Sequence, residues 1–157
     1  MTLYLSYPIE TKQDNIITSQ WSNTDIPVLA VSTDKQKITF FQDEAINISE
    51  HDMVKDGIMT SLGWHPSDMI LAYGFQDGRV GVWIDEENAS YEEKNVHDNK
   101  ISILKFNNLG NRLVSCDSKG KICVWRFDNK LHKLCIYKQT YQVEEIIFPN
   151  FKYDSTE

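Results

Sequence analysis

The sequence predicts an all-β protein built from a repeat of about 42 residues, and three columns of residues in the 157-residue chain lead to this prediction. One aromatic column recurs at intervals of 43, 42 and 42 residues: Trp21, Trp64, Phe106 and Phe148. A second aromatic column recurs at 42: Phe41, Trp83 and Trp125. Apolar pairs recur at 42 as well, beginning at Leu29, Leu71 and Leu113. Agreement across three columns is typical of stacked supersecondary units.

Each repeat is predicted to contain short strands separated by tight turns. An alternating run over residues 101–106 predicts a strand, and residues 107–111 predict the turn after it. Asp77 and Gly78 predict a hairpin turn, because this dipeptide suits positive φ angles, and residues 118–120 predict the same turn in the third repeat. Outer strands are expected over residues 131–137 and 45–48, and no helix is expected. Three to four strands per repeat, one of them ending in Trp, are typical of β-propeller blades.

The pattern resembles the WD40 family of β-propellers, with departures. Arg126 follows Trp125 where the family has Asp, and Val96 precedes His97 where the family has Gly. The resemblance implies that certain side chains hold the blades together, and these structural blade positions are Trp21, Trp64, Trp83, Asp77, His97, Phe106 and Trp125.

The WD40 family often buries a hydrogen-bonded tetrad of His, Ser or Thr, Asp and Trp. At the turn position where the family has Asp, the second repeat has Asp77, but the other two repeats have Lys119 and Lys35. We therefore expect no repeat to hold a complete tetrad, and we expect apolar packing to dominate.

The repeat predicts blades over residues 10–50, 51–95 and 96–138, and a fourth blade that starts over 139–151 with a strand at 143–148. Closed propellers contain typically about 4 to 8 blades, so residues 1–157 are expected to form an incomplete propeller of about three and a half blades. We expect the chain to be the N-terminal part of a longer protein or the product of a truncated gene, with a dimer of half-propellers as the alternative. A strand over residues 2–7 is expected to cover one open edge.

The charge balance disfavours several classes of partner. Sixteen basic and 23 acidic residues leave a formal net charge of −7 and a pI near 5.1. Nucleic-acid-binding proteins usually carry a basic stripe, and anionic membrane surfaces attract basic segments. No stretch approaches the roughly 18 apolar residues of a spanning helix, so no membrane insertion is expected. Three cysteines without a CxxC pair, Cys116, Cys123 and Cys135, indicate reduced thiols.

Candidate reactive residues do not form a recognisable catalytic or metal-binding pattern. The pairs formed by His51 with Asp52 and by His97 with Asp98 could be acid–base pairs or ligands, but adjacent strand residues point to opposite faces. Cys116 and Cys123 lack the four closely spaced ligands of a zinc site. We expect no catalytic residue, no cofactor, no metal and no small-molecule substrate, and we expect that the protein is not an enzyme.

Several runs are similar to one particular group of WD40 proteins, the intraflagellar transport 140 family. Residues 62–66, 71–75 and 78–80 are similar to its second blade, and residues 97–106 and 110–115 to its third, in an order that starts at residue 1. The resemblance implies a non-catalytic interaction scaffold of intraflagellar transport complex A that supports retrograde transport and cilium assembly. It also implies that the other complex A subunits and ciliary cargo are partners, and that the protein resides in the cilium, at the ciliary base and basal body, and in the cytoplasm. A WD40 scaffold of another vesicle-coat or trafficking complex is the alternative, and an enzyme or metal protein is the third candidate.

Overall fold

Three four-stranded antiparallel sheets make up the protein in a computed structural model that describes residues 14–42 and 46–149. The first sheet contains β1 (Ile16–Trp21), β2 (Leu29–Thr33), β3 (Lys37–Phe41) and β4 (Met53–Val54). The second contains β5 (Met59–Trp64), β6 (Ile70–Phe75), β7 (Val80–Ile84) and β8 (Ala89–Glu93). The third contains β9 (Ile101–Phe106), β10 (Arg112–Asp117), β11 (Lys121–Phe127) and β12 (Leu131–Lys138). A single 3₁₀ turn, Ser49–His51, is the only helical element in the described residues, so the predicted all-β class is confirmed.

The strands of each sheet follow one another in chain order, and tight turns or short loops join most of them, whereas residues 42–52 separate β3 from β4. Both predicted hairpin turns are confirmed. Gly78 has a φ of +90° between β6 and β7, and Gly120 has a φ of +81° between β10 and β11. Glycine adopts this left-handed conformation without the steric cost that a Cβ would add.

The sheets are stacked face to face, with the second sheet in the middle. Leu71 and Tyr73 of β6 pack in a cluster with the first sheet, while Ala72 packs in a cluster with the third. Every residue of β6 and β7 is buried, since both faces of this sheet are covered. This double burial explains why β6 and β7 are almost entirely apolar.

The innermost strands β1, β5 and β9 lie next to one another, as in adjacent propeller blades. The approach of the third sheet to the second is close. A Cβ placed on Gly74 of β6 would lie only 2.5 Å from Cβ of Ile101 on β9. The glycine therefore allows the two sheets to pack at this distance.

Two predicted strands are absent from the described residues, and one outer strand is confirmed. The outer strand of the first sheet is Met53–Val54 and not residues 45–48, because Met53 pairs with Ile38 whereas Asn47 forms only an isolated bridge to Phe41. The expected strand over residues 143–148 does not form, since the described segment has no neighbouring strand to pair with. The strand predicted over 131–137 is confirmed as β12, and the strand predicted over 2–7 lies outside the described residues.

Within the described part of the chain, no helix is long and apolar enough to cross a membrane.

Candidate functional site at the hairpin-turn end of the sheets

The hairpin turns after β2, β6 and β10, the connections into β5 and β9 and the chain after β12 all lie at one end of the stacked sheets, because the strands are antiparallel. We call this the hairpin-turn end. Two of the grooves at this end, of about 490 and 820 Å³, adjoin at Asp98. Loops held by rigid sheets are frequent binding surfaces, so this end is the candidate functional site.

A buried network in the third sheet supports this end. The Nε2 atom of His97 lies 2.7 Å from Oγ of Ser115, and Nε1 of Trp125 donates a hydrogen bond of 2.9 Å to the same oxygen. Nδ1 of His97 faces Oδ2 of Asp117 at 3.5 Å. The other carboxylate oxygen of Asp117 accepts hydrogen bonds from the backbone N–H groups of Lys119 and Lys121, at 2.9 and 3.0 Å.

These four side chains are the tetrad of the WD40 pattern, so the expectation that no repeat holds a complete tetrad is wrong for the third repeat. The carboxylate is supplied by Asp117, two residues before the position that Lys119 occupies. From the last residue of β10, the carboxylate reaches the N–H groups of its own hairpin turn. The network therefore fixes the position of the hairpin turn relative to the segment around His97.

In the second sheet, a lysine and two aromatic rings occupy the positions equivalent to three members of this tetrad. Forty-two residues before His97, Ser115 and Asp117 stand Lys55, Tyr73 and Phe75. Nζ of Lys55 lies 5.1 Å from the centre of the Tyr73 ring, and this ring meets Phe75 edge to face at 5.6 Å.

Burial determines the charge state of the network. It lowers the pKa of His97, although the neighbouring Asp117 carboxylate opposes the shift. Burial would raise the pKa of Asp117, but the hydrogen bonds from the N–H groups of Lys121 and Lys119 hold that pKa below its ordinary value. A neutral imidazole therefore lies beside a charged carboxylate near neutral pH.

The network contains Ser, His and Asp, but its geometry does not suit nucleophilic catalysis. A catalytic serine presents its oxygen to a substrate next to an oxyanion site. Ser115 is completely buried, and its oxygen already accepts a hydrogen bond from Trp125. The arrangement therefore stabilises the fold rather than exposing a reactive group.

Arg79 joins the second hairpin turn to its surroundings. Its Nη1 lies 2.7 Å from Oδ1 of Asp56 and 2.9 Å from Oε2 of Glu92, and its Nε lies 2.9 Å from Oδ2 of Asp77. The guanidinium also stacks on Phe75, with 3.9 Å between Cζ and the ring centre. Burial would lower the pKa of Arg79, but the hydrogen bonds to Asp56 and Asp77 raise it.

In the smaller groove, the Arg79 guanidinium in the wall is therefore not available to a ligand, because three carboxylates bind it.

The larger groove carries three lysines: Lys119, Lys121 and Lys138. Nζ of Lys121 lies 3.1 Å from Oδ2 of the exposed Asp98. Within the described residues, the ammonium groups of Lys119 and Lys138 have no hydrogen-bond or ion-pair partner. This groove retains positive charge that is available to a ligand.

The aromatic blade positions differ in burial. Trp64, Trp83, Phe106 and Trp125 are buried, and Nε1 of Trp64 donates a 2.9 Å hydrogen bond to the Gln20 carbonyl. Trp21 is 48% exposed. Trp64 and Phe106 each face a preceding sheet, and the structure describes no sheet before β1 that could cover Trp21.

The structure separates the histidine–aspartate pairs considered from the sequence. His51 lies 3.2 Å from Asp85, whereas Asp52 pairs with Lys37 at 2.7 Å. His97 points inward, whereas Asp98 is largely exposed and pairs with Lys121.

The cysteines and the other acidic residues form no metal-binding cluster in the described residues. In the β10–β11 ladder, Cys123 pairs with Ser115, the residue just before Cys116. Because neighbouring residues of a strand point to opposite faces, Cys116 and Cys123 lie on opposite faces of the sheet. Burial raises the pKa of Cys116 to about 11 and that of Cys123 to about 12. No group of three or more His, Cys, Asp or Glu side chains in residues 14–42 and 46–149 is placed to hold a metal ion.

Sequence reasoning did not identify Ser115, Asp117 or Arg79 as site residues. The spacing contained a usable signal for two of them, since a serine and an aspartate stand between His97 and Trp125 at the end of a predicted strand. The pairing of Arg79 with Asp56 and Glu92 had no sequence signal, because both are distant in sequence and only the third partner, Asp77, stands close to it.

Comparisons with known proteins agree with this architecture. The model of the family described as the IFT140 first beta-propeller matches residues 2–155. Topless-related protein 4 of Arabidopsis thaliana is 28% identical over 121 residues, which cover 74% of this chain and 10% of that protein. The chain thus spans about a tenth of the length of this curated relative.

Proposed function

Because the chain belongs to the family of the IFT140 first beta-propeller, we propose that it acts as a non-catalytic scaffold within intraflagellar transport complex A. The family match over residues 2–155 carries the proposal, and three sheets stacked like propeller blades agree with it. In this role the protein supports retrograde transport and cilium assembly. Its partners are the other complex A subunits and ciliary cargo, and it resides in the cilium, at the basal body and in the cytoplasm.

A non-catalytic role is supported by the chemistry of the hairpin-turn end. The Ser115 oxygen is buried and occupied, and the Arg79 guanidinium is bound by three carboxylates. Both groups hold loops in place, which is what a binding platform requires.

We propose that the three sheets are three successive blades of one propeller, with a fourth beginning at residues 139–151. The first sheet runs to Val54 and the second begins at Met59, so we place the first boundary between them and not at residue 50. The second boundary lies between Glu93 and Ile101. The aromatic positions, Asp77 and His97 then act as structural blade positions.

Affinity purification from ciliated cells tests the proposal. The endogenous protein is tagged, recovered and analysed by mass spectrometry beside an untagged control. Recovery of several complex A subunits is the expected result. Recovery of the protein without any complex A subunit would overturn the proposal.

The 28% identity to Topless-related protein 4 supports a generic WD40 interaction role, and the second candidate is a WD40 scaffold of another trafficking or vesicle-coat complex. Recovery of coat components in place of complex A subunits, in the same purification, would support this candidate.

A further inference from the structure

The larger groove at the hairpin-turn end has an unusual charge for this chain. Among the described residues, its wall contains Lys119, Lys121 and Lys138 and two acidic members, Asp98 and Asp117. The whole chain has a net charge of −7, so this groove is positive in an acidic protein. A local positive groove attracts anionic ligands that the rest of the surface repels.

The two acidic groups leave part of this positive charge uncompensated. Asp117 is fully buried, with one oxygen bonded to the hairpin turn and the other facing His97. Asp98 pairs with Lys121, its one ion-pair partner in the described part of the chain. Lys119 and Lys138 are exposed, and neither has an ion-pair partner among the described residues.

The strand register adds a second, independent observation. Lys121 of β11 lies directly opposite Lys138 of β12, and the two are Cα partners in the ladder. Like charges directly opposite each other on neighbouring strands destabilise a sheet. Asp98 offsets part of this repulsion at Lys121, and a carboxylate bound at Lys138 would offset more of it.

In the smaller groove at the same end, the buried cation is fully paired within the chain. There, the Arg79 guanidinium holds Asp56, Asp77 and Glu92 from within the chain. The lysine groove has the cations but lacks comparable internal carboxylates in the described residues.

From this charge and geometry we infer that the lysine groove binds a short acidic segment of a partner protein, rich in aspartate and glutamate. The groove volume of about 820 Å³ lies within the range of about 300–1,000 Å³ for pre-formed ligand sites. Carboxylates of the segment pair with Lys119 and Lys138, and the neutral side chains of Asn99 and Gln139 in the groove wall offer hydrogen bonds. The inference rests on the proposed scaffold function and specifies the chemistry of one partner contact.

Fluorescence anisotropy with the full chain tests the inference. The probe is a short fluorescein-labelled peptide of alternating aspartate and glutamate, and the reference is a peptide of equal length made of asparagine and glutamine. The acidic peptide is expected to bind and the neutral peptide is not. Binding is expected to weaken as the salt concentration rises from about 50 to about 300 mM, because exposed charges are screened.

A matched pair of double variants isolates the groove. Lys119→Gln with Lys138→Gln removes both available ammonium groups, and Lys130→Gln with Lys133→Gln changes the net charge equally at exposed sites outside the groove. The groove variant is expected to weaken peptide binding roughly three- to thirty-fold, since each exposed ion pair contributes modestly. The control variant is expected to bind within about twofold of the unmodified chain. Urea unfolding of both variants checks that they are folded.

Three outcomes would overturn the inference: no binding of the acidic peptide, equal weakening by both double variants, or displacement by inorganic phosphate or a single-stranded oligonucleotide at the peptide's own concentration. Purification of the groove variant from ciliated cells distinguishes failure of the acidic-segment inference from failure of the proposed scaffold function. Complex A subunits recovered despite absent peptide binding would leave the scaffold role standing.

Discussion

Replacing Ser115 with alanine removes the hydroxyl at the centre of the buried tetrad. In the folded chain this oxygen lies 2.7 Å from Nε2 of His97 and accepts a 2.9 Å hydrogen bond from Trp125. The exposed fractions of these side chains are between 0% and 3%, so water cannot replace the lost partner. Two buried ring nitrogens are left without partners, each at a cost of about 1–3 kcal/mol. We expect the free energy of unfolding to fall by about 2–4 kcal/mol, because partial relaxation offsets some of this cost.

Urea unfolding followed by tryptophan fluorescence measures this change. The matched control is Ser67→Ala, which removes an exposed hydroxyl and is expected to change stability by no more than about 0.5 kcal/mol. A double-mutant cycle with Trp125→Phe is expected to show a coupling of about 0.5–3 kcal/mol, since both residues belong to one network. A loss in Ser115→Ala no larger than in Ser67→Ala would refute the tetrad as a stabilising network.

Three further predictions concern two buried histidines, the second hairpin turn and Arg79; His65 follows β5 at the opposite end of the sheets. Because burial holds the pKa of His97 and of His65 below 6.5, the unfolded chain binds protons that the folded chain does not, and the free energy of unfolding should fall as pH drops below about 6.5. Urea midpoints at about pH 7.5 and 5.5 measure this, and a smaller difference is expected in His97→Gln. Gly78→Ala should lower the free energy of unfolding by more than about 1 kcal/mol, because φ is +90° and the new Cβ would lie 2.3 Å from the His97 carbonyl oxygen. A thermal melt unchanged from that of the unmodified chain would contradict the close packing. Arg79→Met should lower the free energy of unfolding by about 1–3 kcal/mol, because it leaves three carboxylates without their cation. Added salt screens these carboxylates and should reduce the loss. A loss that does not change with salt would indicate lost packing alone.

The repeat was accessible from sequence because side-chain burial in stacked sheets imposes a period on the chain. Residues 42 positions apart, such as Trp83 and Trp125, occupy equivalent places in successive sheets, and both are buried. The hairpin turn at Gly78 was accessible for a local reason, since positive φ favours glycine.

The strand predictions were wrong where strand formation depends on pairing with a backbone segment distant in sequence. Residues 45–48 and 143–148 have strand-like composition, but a strand forms only where a neighbouring backbone is free to pair. The outer strand of the first sheet instead formed at Met53, which pairs with Ile38.

In the candidate site, too, the sequence predicted some features and the folded chain was needed for others. The sequence placed His97 and Trp125 among the blade positions, but it assigned the tetrad aspartate to the turn, where Lys119 stands. Only the folded chain shows that the Asp117 carboxylate accepts hydrogen bonds from the backbone of that turn.

By itself the sequence determined the fold class, the repeat length and the hairpin turns, because these follow from local backbone preference and from the periodic burial of side chains. The tertiary structure decided which charges are satisfied. Arg79 draws two of its three carboxylates from segments distant in sequence, and Lys121 is set opposite Lys138 by the register of two strands. Coulombic and hydrogen-bond energies depend on distances between atoms, and those distances exist only once the sheets have packed.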